Sequence, residues 1–353
     1  HNIMRKLLSI TLLSALAIFC AKAQTAEEAI SYYLPKTAIH INLLIEKTTY
    51  EPGQFAPYAR KYMKLDNVQL APSTTYRIIK TDMYAVAEPD SAKQFKLSLD
   101  KKHHVVKAVR SDNGLLLAIN ADAKSSKPLP TFTPSPQKAP LNPKDYMSQD
   151  IISATSTAKM AELTANEIYD IRDSRTQLSR GEADFMPKDG AQLRIMMNEL
   201  DTQEKALLQV FAGTTRKDTT MATLYFVPRN ETERELLFRF SKYFGLVDTD
   251  DLSGTPYYIG IAKTKAVDND ADPGAEKKDK NDIGLRVNIP AKMEATIFAA
   301  NKSQLARKVF TAPQFGKVEA LSGELFGKKQ SSKLILDPLN GSILSIEALP
   351  LEK

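Results

Sequence analysis

Six prolines lie within 16 residues, and this run limits what the chain can fold into more than any other feature. The residues are Pro128, Pro130, Pro134, Pro136, Pro140 and Pro143. Proline fixes φ and has no backbone N–H, so such a stretch cannot form regular hydrogen bonds and favours an extended, polyproline-II-like conformation. We therefore predict a linker over residues 122–150. A role as a PxxP peptide ligand is the alternative to a spacer.

The segment before this linker has the pattern of β-strands. Ile39, Ile41, Leu43 and Ile45 alternate with more polar residues, and this period of two predicts a strand with one apolar face. Pro52-Gly53 ends this strand, and a short helix is predicted over residues 55–63. Further strands are predicted at Thr74–Ala87, Phe95–Leu99, His104–Val109 and Leu115–Asn120, the last two joined by a turn at Asn113-Gly114. Residues 24–121 are thus predicted to form an N-terminal mixed β domain.

Two amphipathic helices are predicted after the linker, as a helical hairpin over residues 151–213. The first covers Ser156–Arg180. The second begins after Asp189, an N-cap residue followed three positions later by Gln192, and ends near Gly213. Its apolar stripe comprises Leu193, Met196, Met197, Leu200, Leu207, Leu208 and Phe211. We interpret the two methionines as core residues rather than cofactor ligands.

The remainder, residues 214–353, is predicted to be a C-terminal antiparallel β-sandwich domain, since many short strand patterns follow one another. The predicted strands are Met221–Val227, Leu236–Phe240, Tyr257–Lys263, Leu285–Ile289, Met293–Ala299, Lys333–Leu336 and Ile343–Ile346. Asn340-Gly341 indicates a second hairpin turn. Residues 264–283 are rich in Asp, Glu and Lys and are predicted to be a disordered insert. The expected fold class is therefore α+β, mostly β.

The N-terminus has the pattern of an export signal. Residues 1–23 combine a short basic region, an apolar run and a small-residue site that predicts cleavage after Ala23. A lipid anchor on Cys20 is the alternative, although the bulky Phe19 precedes it. Cleavage leaves no cysteine, and so no disulfide or thiolate site. It also leaves 45 basic against 42 acidic residues, a net charge of +3 that gives no support for nucleic acid binding. No transmembrane span is predicted in the processed chain.

Several stretches resemble a family of exported proteins from Bacteroides-type bacteria, domain-of-unknown-function family 4831. They are Tyr33-Leu34-Pro35, Glu51-Pro52-Gly53 through Tyr62, Pro89-Asp90, Asp170 through Gly181, Phe240 through Gly254, Gln314-Phe315-Gly316 and Asp337 through Gly341. The resemblance implies an envelope location and one architecture over most of the chain. The resemblance assigns no activity and no site residue to this sequence.

The residues offer few candidates for catalysis or metal binding. The three histidines after residue 23 are His40, His103 and His104, and neighbours in a strand point to opposite faces, although Asp100 and His104 can share one. The sequence contains no Gly-x-Ser-x-Gly, His-Glu-x-x-His or dinucleotide-binding glycine motif. The run 323–329 is one residue short of a phosphate loop, and we interpret it as a turn. We therefore expect no catalytic, cofactor or metal residue.

Weaker patterns leave other possibilities open. Asp268, Asp270, Asp272 and Asp279 have calcium-loop spacing, but Pro273 replaces the required glycine, so a solvated charge run is favoured; Asp248, Asp250 and Asp251 form a similar cluster. Three tyrosine pairs are candidates for sugar stacking: Tyr32-Tyr33, Tyr58/Tyr62 and Tyr257-Tyr258. The basic residues Lys101, Lys102, Lys107 and Arg110 either contact anionic lipids or form a solvated face. Ser91 and Thr219 follow aspartates, as in O-glycosylation motifs.

These patterns favour a non-enzymatic binding or scaffolding protein of the periplasm or outer membrane, whose partner is an envelope protein or a glycan. The reason is that no motif combines a nucleophile, a base and an oxyanion donor. The alternative is a glycan hydrolase that uses a carboxylate pair. Such a pair can come from residues far apart in sequence, and a cleft lined by converging acids would favour it.

Overall fold

The computed structural model describes residues 28–265 and 280–350, so the predicted signal peptide lies outside the described residues. Strands hold 48% of the residues and helices 22%, which confirms the mostly β, α+β class. The strands are β1 (Glu28–Glu51), β2 (Ser73–Leu99), β3 (Ala108–Arg110), β4 (Leu116–Ile119), β5 (Thr214–Phe226), β6 (Thr232–Ser241), β7 (Gly245–Val247), β8 (Thr255–Lys265), β9 (Asp282–Ala299), β10 (Gln304–Ser322), β11 (Ser331–Leu336) and β12 (Ile343–Leu349). The α-helices are α1 (Ala59–Met63), α2 (Gln149–Ile152), α3 (Thr157–Arg180) and α4 (Gly190–Ala212).

The described strands form three antiparallel sheets. Sheet I has the order β2-β1-β5, sheet II the order β10-β9-β8-β6-β7, and sheet III the order β12-β11-β4-β3. Sheet I thus joins two strands before the Pro-rich segment to one strand after the helices. Sheet III likewise combines β3 and β4 with β11 and β12. The strand pairing therefore crosses the boundaries of the predicted N-terminal and C-terminal domains.

Sheets I and II pack face to face as a sandwich. The predicted apolar face of β1, residues Ile39, Ile41, Leu43 and Ile45, is buried as the alternation requires. It packs against the inward side chains of sheet II, which are Phe238, Phe240, Ile259, Ile261, Met293, Ala295, Ile297, Phe310 and Ala312. One sheet of the sandwich consequently comes mainly from the predicted N-terminal domain.

A second core lies where the first residues of β1 and β9 and the end of β2 meet sheet III. It contains Tyr32, Leu34, Leu97, Leu116, Ile119, Ile283, Leu285, Val287, Phe326, Leu334 and Leu336. Sheet III is built from the two predicted Asn-Gly hairpins. Gly114 and Gly341 have φ of 88° and 71°, a conformation that glycine adopts without strain.

The helices form a third core of their own. The short helix predicted over residues 55–63 is present as a 3-10 turn (Ala56–Tyr58) followed by α1. Ile168 and Ile171 of α3 and Leu207 and Phe211 of α4 are buried there. Asp189 caps α4 as predicted, since its carboxylate accepts a hydrogen bond of 2.7 Å from the Gln192 N–H. Met196 and Met197, predicted as core residues, are half-buried and lie outside this core.

Several strand predictions differ from the structure. The two strands predicted at Thr74–Ala87 and Phe95–Leu99 are one strand, β2, in which residues 90–93 bulge out where Pro89 pairs with Pro35. Pro290 has no N–H to donate, yet it does not divide β9. It lies where the pairing of β9 with β10 shifts register between Ala312 and Lys317, so no ladder hydrogen bond is required from this residue. Strand β10 itself was not predicted, since its sequence does not alternate cleanly.

The predicted insert 264–283 is wrong at both limits, because β8 continues to Lys265, β9 begins at Asp282 and Ile283 is buried in the second core. Residues 266–279, including Asp268, Asp270, Asp272 and Asp279, lie outside the described residues.

The Pro-rich segment forms neither helix nor strand over residues 122–142. The predicted linker extended to residue 150, but its last part contains the 3-10 turn Pro143–Tyr146 and the start of α2. The side-chain amide of Gln137 donates a hydrogen bond to the Lys217 carbonyl on β5. At this point the segment lies against the outer edge of sheet I, which blocks that edge from pairing with another strand. None of the described helices is long and apolar enough to cross a membrane.

Candidate binding groove on sheet II

A groove lies on the outer face of sheet II, the side turned away from the sandwich core. Its volume is about 540 Å³, and its lining residues are Glu231, Thr232, Glu233, Gly260, Ile261, Ala262, Glu294, Thr296 and Phe298. A second depression of about 390 Å³ continues it past Arg234, Lys302 and Gln304 and shares Glu233, Thr296 and Phe298 with it. We call the two together the sheet II groove.

The floor of the groove follows from the alternation along β8. Gly260 and Ala262 occupy outward positions, while their neighbours Ile259 and Ile261 are buried in the sandwich core. Gly260 pairs with Thr296 and Ala262 with Glu294 on β9. Because the two small residues leave space between taller side chains on β6 and β9, a channel forms along the middle of the sheet.

A bulge in β6 positions the acidic side of the groove, which carries Glu231 and Glu233. Thr232 pairs with Ile261 and Glu235 with Ile259, so β6 has one residue more than β8 over this span. Such a bulge bends the strand and redirects its side chains. Gly260 lies beside it, and a Cβ there would come within 3.1 Å of the Glu233 carbonyl oxygen. The glycine thus permits the close approach of the bulge.

The charges of the groove balance. Glu294 forms an ion pair of 2.8 Å with Arg307, and the Glu231 carboxylate accepts a hydrogen bond of 2.7 Å from the Lys263 N–H. The Glu233 carboxylate makes no hydrogen bond or ion pair with the described part of the chain. Three carboxylates therefore stand beside the cations Arg234, Lys302 and Arg307. The lining also carries hydroxyl, amide and aromatic groups from Thr296, Gln304 and Phe298.

The tyrosines predicted for sugar stacking are separated in the structure. Tyr32 is buried in the second core, and the Tyr58/Tyr62 pair packs against the helical core. Tyr257 stacks on Phe238 at 4.7 Å on the inner side of sheet II. Tyr258 borders the groove, with its ring 6.0 Å from that of Phe298 and the Arg234 guanidinium 4.2 Å above it. Such cation–π contact holds both groups in place.

The histidines are not brought together as a site. His104, predicted as the first residue of a strand, lies in a loop before β3, and His103 precedes it. The sequence allowed Asp100 and His104 to share a strand face, but the structure shows no hydrogen bond or ion pair between these two residues. Asp100 instead contacts His103 Nδ1 at 2.6 Å. Desolvation raises the pKa of Asp100, but hydrogen bonds from His103 and Lys102 outweigh it and hold the pKa below its ordinary value. Asp100 therefore anchors the turn that carries His103.

The remaining candidates are separate surface features. Asp251 accepts a hydrogen bond from the Ser253 N–H, and no group of His, Asp or Glu in residues 28–265 and 280–350 has the arrangement of a metal site. Ser91 is exposed in the bulge of β2, whereas Thr219 is half-buried on β5 opposite Glu46. The run 323–329 begins with a 3-10 turn, Gly323–Phe326, as interpreted from the sequence.

A larger depression of about 1040 Å³ lies on sheet III, lined partly by Lys107, Lys328 and Lys333 of the predicted basic surface and its surroundings. Lys107 is paired with Asp122, and Lys333 lies opposite Glu347 in the register of β11 and β12. Because these pairs offset most of the positive charge, the depression is a weaker candidate for a charged ligand than its lysines suggest.

A family model described as "Domain of unknown function (DUF4831)" matches residues 28–344. The chain belongs to this family. The match confirms the family resemblance expected from the sequence, and its range includes every residue of the sheet II groove. None of the curated proteins and none of the solved structures compared with the chain gave a significant match.

The sequence did not predict the groove residues, since their proximity depends on the β6 bulge and on the register of three strands. One local signal was available. Gly260 and Ala262 are small residues at consecutive outward positions of a strand, where larger side chains are usual, and such positions favour close approach of a ligand or a neighbouring backbone.

Proposed function

We propose that this protein is an exported cell-envelope protein that binds a neutral glycan in the sheet II groove without cleaving it. The observation that carries the proposal is the charge-balanced groove, in which carboxylates, cations, hydroxyls and the Phe298 ring line one open channel. Export itself rests on the sequence pattern of residues 1–23.

The polar lining supports a polyhydroxylated ligand. Sugar hydroxyls both donate and accept hydrogen bonds, and the groove offers acceptors from Glu233 and donors from Arg234 and Lys302. Because the formal charges balance, a strongly charged ligand would gain little attraction from the groove as a whole. An aromatic face such as that of Phe298 adds apolar contact with the C–H side of a sugar ring.

The alternative is a glycan hydrolase with a carboxylate pair, and the three glutamates of the groove give it a specific basis. Such an enzyme needs two acids on either side of the bond that is cleaved. Glu294 is paired with Arg307, and Glu231 is held by the backbone of Lys263. Glu233 is thus the single groove carboxylate without a partner among the described residues, which favours binding over hydrolysis.

The test is a glycan array followed by calorimetry with the best-bound glycan. We expect Phe298→Ala and Glu233→Gln each to weaken binding about 10-fold, because each removes one principal contact. Phe244→Ala, which changes an exposed phenylalanine in a distant turn of sheet II, is the matched control and should bind as the unmodified protein does. Absence of binding to every glycan, or equal weakening by the control, would overturn the proposal.

The same samples distinguish the alternative. Incubation with the bound glycan should release no reducing ends under the binding hypothesis. If the unmodified protein releases reducing ends and neither Glu233→Gln nor Glu294→Gln does so, the hydrolase hypothesis replaces the binding hypothesis.

A further inference from the structure

Strand β12 is an open edge of sheet III that carries three exposed apolar residues. Leu344 and Ile346 are each 41% exposed, and Ile343 is 37% exposed. Ile343 and Ile346 lie opposite Leu336 and Leu334 of β11, and Leu344 is the extra residue of a bulge between them, so all three apolar side chains lie beside the open edge. None of its residues belongs to the second core, and hydrogen bonds to β11 hold it on one side. Its other edge has no strand partner among the described residues.

The other described sheet edges are covered, short, or carry lysine and proline. The long edge strands β2 and β10 are of the last kind, with Lys80 and Pro89 in β2 and Lys308 and Pro313 in β10. The Pro-rich segment contacts β5 through Gln137, and the edge strands β3 and β7 have three residues each. Natural edge strands commonly carry lysine or proline, which oppose pairing with another chain. Strand β12 has seven residues, neither lysine nor proline, and one charged residue, Glu347. It lacks the protection that an unpaired edge needs.

We propose that β12 pairs antiparallel with β12 of a second copy of this chain, about a two-fold axis at Ile346. This register overlaps all seven residues and places the bulge at Leu344 towards each end of the pairing, away from the axis. The pairs are Ile343 with Leu349, Leu344 with Ala348, Ser345 with Glu347, and Ile346 with Ile346 of the second copy. The two sheets III then form one continuous eight-stranded sheet, and the two-fold makes the contact self-complementary.

Charge favours this register over its neighbours. Each Glu347 faces a serine across the interface and has Lys333 opposite it on β11 of its own chain. A two-fold axis at Glu347 would place the two carboxylates directly opposite each other, which destabilises a strand pair. An axis at Ser345 would overlap five residues only and would place Ile343 against Glu347. The axis at Ile346 therefore buries the most apolar surface without opposing like charges.

A second copy fits this edge better than the segment between β8 and β9. Residues 266–279 contain a single aliphatic residue larger than alanine, Val267, and many charges. Such a sequence has little apolar surface to cover Ile343, Leu344 and Ile346. The proposal is independent of the glycan groove, which lies on another sheet.

Light scattering across a range of concentrations tests the association itself. We use the chain from Gln24 onward, which keeps every described residue and contains no cysteine. A dimer is expected to form within the range from about 1 µM to about 1 mM, as suits a small interface. A monomer at every concentration in this range would overturn the proposal.

Cysteine cross-linking tests the register with two variants of equal exposure. In the proposed pairing, Ile346→Cys places two thiols directly opposite each other, with Cα atoms about 5 Å apart, which a disulfide accepts. Leu344→Cys places them four residues apart along the strands, about 13 Å, which is too far for a disulfide. We expect the first variant to cross-link under mild oxidant and the second not to. Equal cross-linking of both, or of neither, would overturn the pairing.

A charge test completes the experiment. Ile346→Lys places two lysines opposite each other and should raise the dissociation constant of the dimer at least about 10-fold. Leu252→Lys makes the equivalent change at a loop residue exposed to solvent and should leave the constant unchanged. Circular dichroism verifies that both variants are folded. A dimer that Ile346→Lys does not weaken would show that association occurs elsewhere.

Discussion

The buried hydroxyl of Tyr32 joins β1 to β9 at the start of the second core. It donates to the Gly284 carbonyl and accepts from the Arg286 N–H, both at 2.7 Å. Burial raises the pKa of Tyr32 well above its ordinary value. The Arg286 guanidinium also donates two hydrogen bonds of 2.8 Å to the Asp282 carboxylate. This ion pair therefore supports the beginning of β9.

The Asp282–Arg286 pair predicts a pH dependence of stability. The hydrogen bond from Arg286 lowers the pKa of Asp282 in the folded protein, so the pair stabilises the fold above the unfolded-state pKa of about 4. This stability is lost as the pH falls through the lower folded-state value. Asp282→Asn should cost up to about 1 kcal/mol at pH 7 and reduce the difference between pH 7 and pH 3. Urea unfolding at both pH values measures this.

The control is Asp66→Asn, which removes a carboxylate from an ion pair with Arg60 that is largely open to solvent. It should leave the free energy of unfolding at pH 7 unchanged. An Asp282→Asn variant as stable as the unmodified protein at pH 7, with the same acid sensitivity, would contradict the role of this pair.

At the scale of elements, a close backbone contact joins the turn after β1 to the end of α4. The Phe55 N–H donates to the Val210 carbonyl at 2.7 Å, and the Phe55 and Phe211 rings pack with centroids 5.8 Å apart. A Cβ at Gly53 would lie 2.2 Å from the Val210 carbonyl oxygen. The turn after β1 thus approaches the end of α4 as closely as a glycine permits.

Gly53→Ala is therefore expected to destabilise the protein by about 2–4 kcal/mol, because the methyl group meets backbone that cannot rotate away. Gly190→Ala is the matched control, since no heavy atom lies within 4 Å of its Cβ position in the first turn of α4. The control should be neutral or stabilising by up to about 1 kcal/mol. Urea denaturation compares the two, and equal effects would contradict the proposed contact.

At the scale of the whole molecule, the sandwich core combines residues from both ends of the chain. Ile41 of β1 and Ile297 of β9 belong to the same core, and β4 pairs with β11 in sheet III. Residues before the Pro-rich segment therefore bury their apolar face against residues more than 200 positions later. Because segments before and after the Pro-rich segment share these cores, we expect the described sheets to unfold in one cooperative transition.

We predict that Ile41→Ala and Ile297→Ala each cost about 2–5 kcal/mol and each shift a single unfolding transition. Far-UV circular dichroism and tyrosine absorbance should report coincident curves for both variants. Residues 24–121 expressed alone should be unfolded, because the apolar face of β1 would lose its partners on sheet II. A folded fragment with dispersed NMR signals would instead support the separate N-terminal domain predicted from the sequence.

The sequence by itself determined the local elements of this protein. The period of two at Ile39–Ile45 set the buried face of β1, the Asn-Gly pairs set both hairpin turns, and Asp189 set the start of α4. Each of these depends on neighbours within a few residues, where steric limits and hydrogen bonding leave few choices.

Only the tertiary structure decided which strands pair and what their outer faces form. The groove at Glu233, Gly260 and Phe298 requires a bulge in β6 and the register of β8 with β9, and the continuity of β9 through Pro290 requires a shift in β10. Strand β12 is an edge because β11 is its single partner among the described strands. Long-range pairing is set by the burial of apolar faces from distant segments, and local sequence patterns do not contain that information.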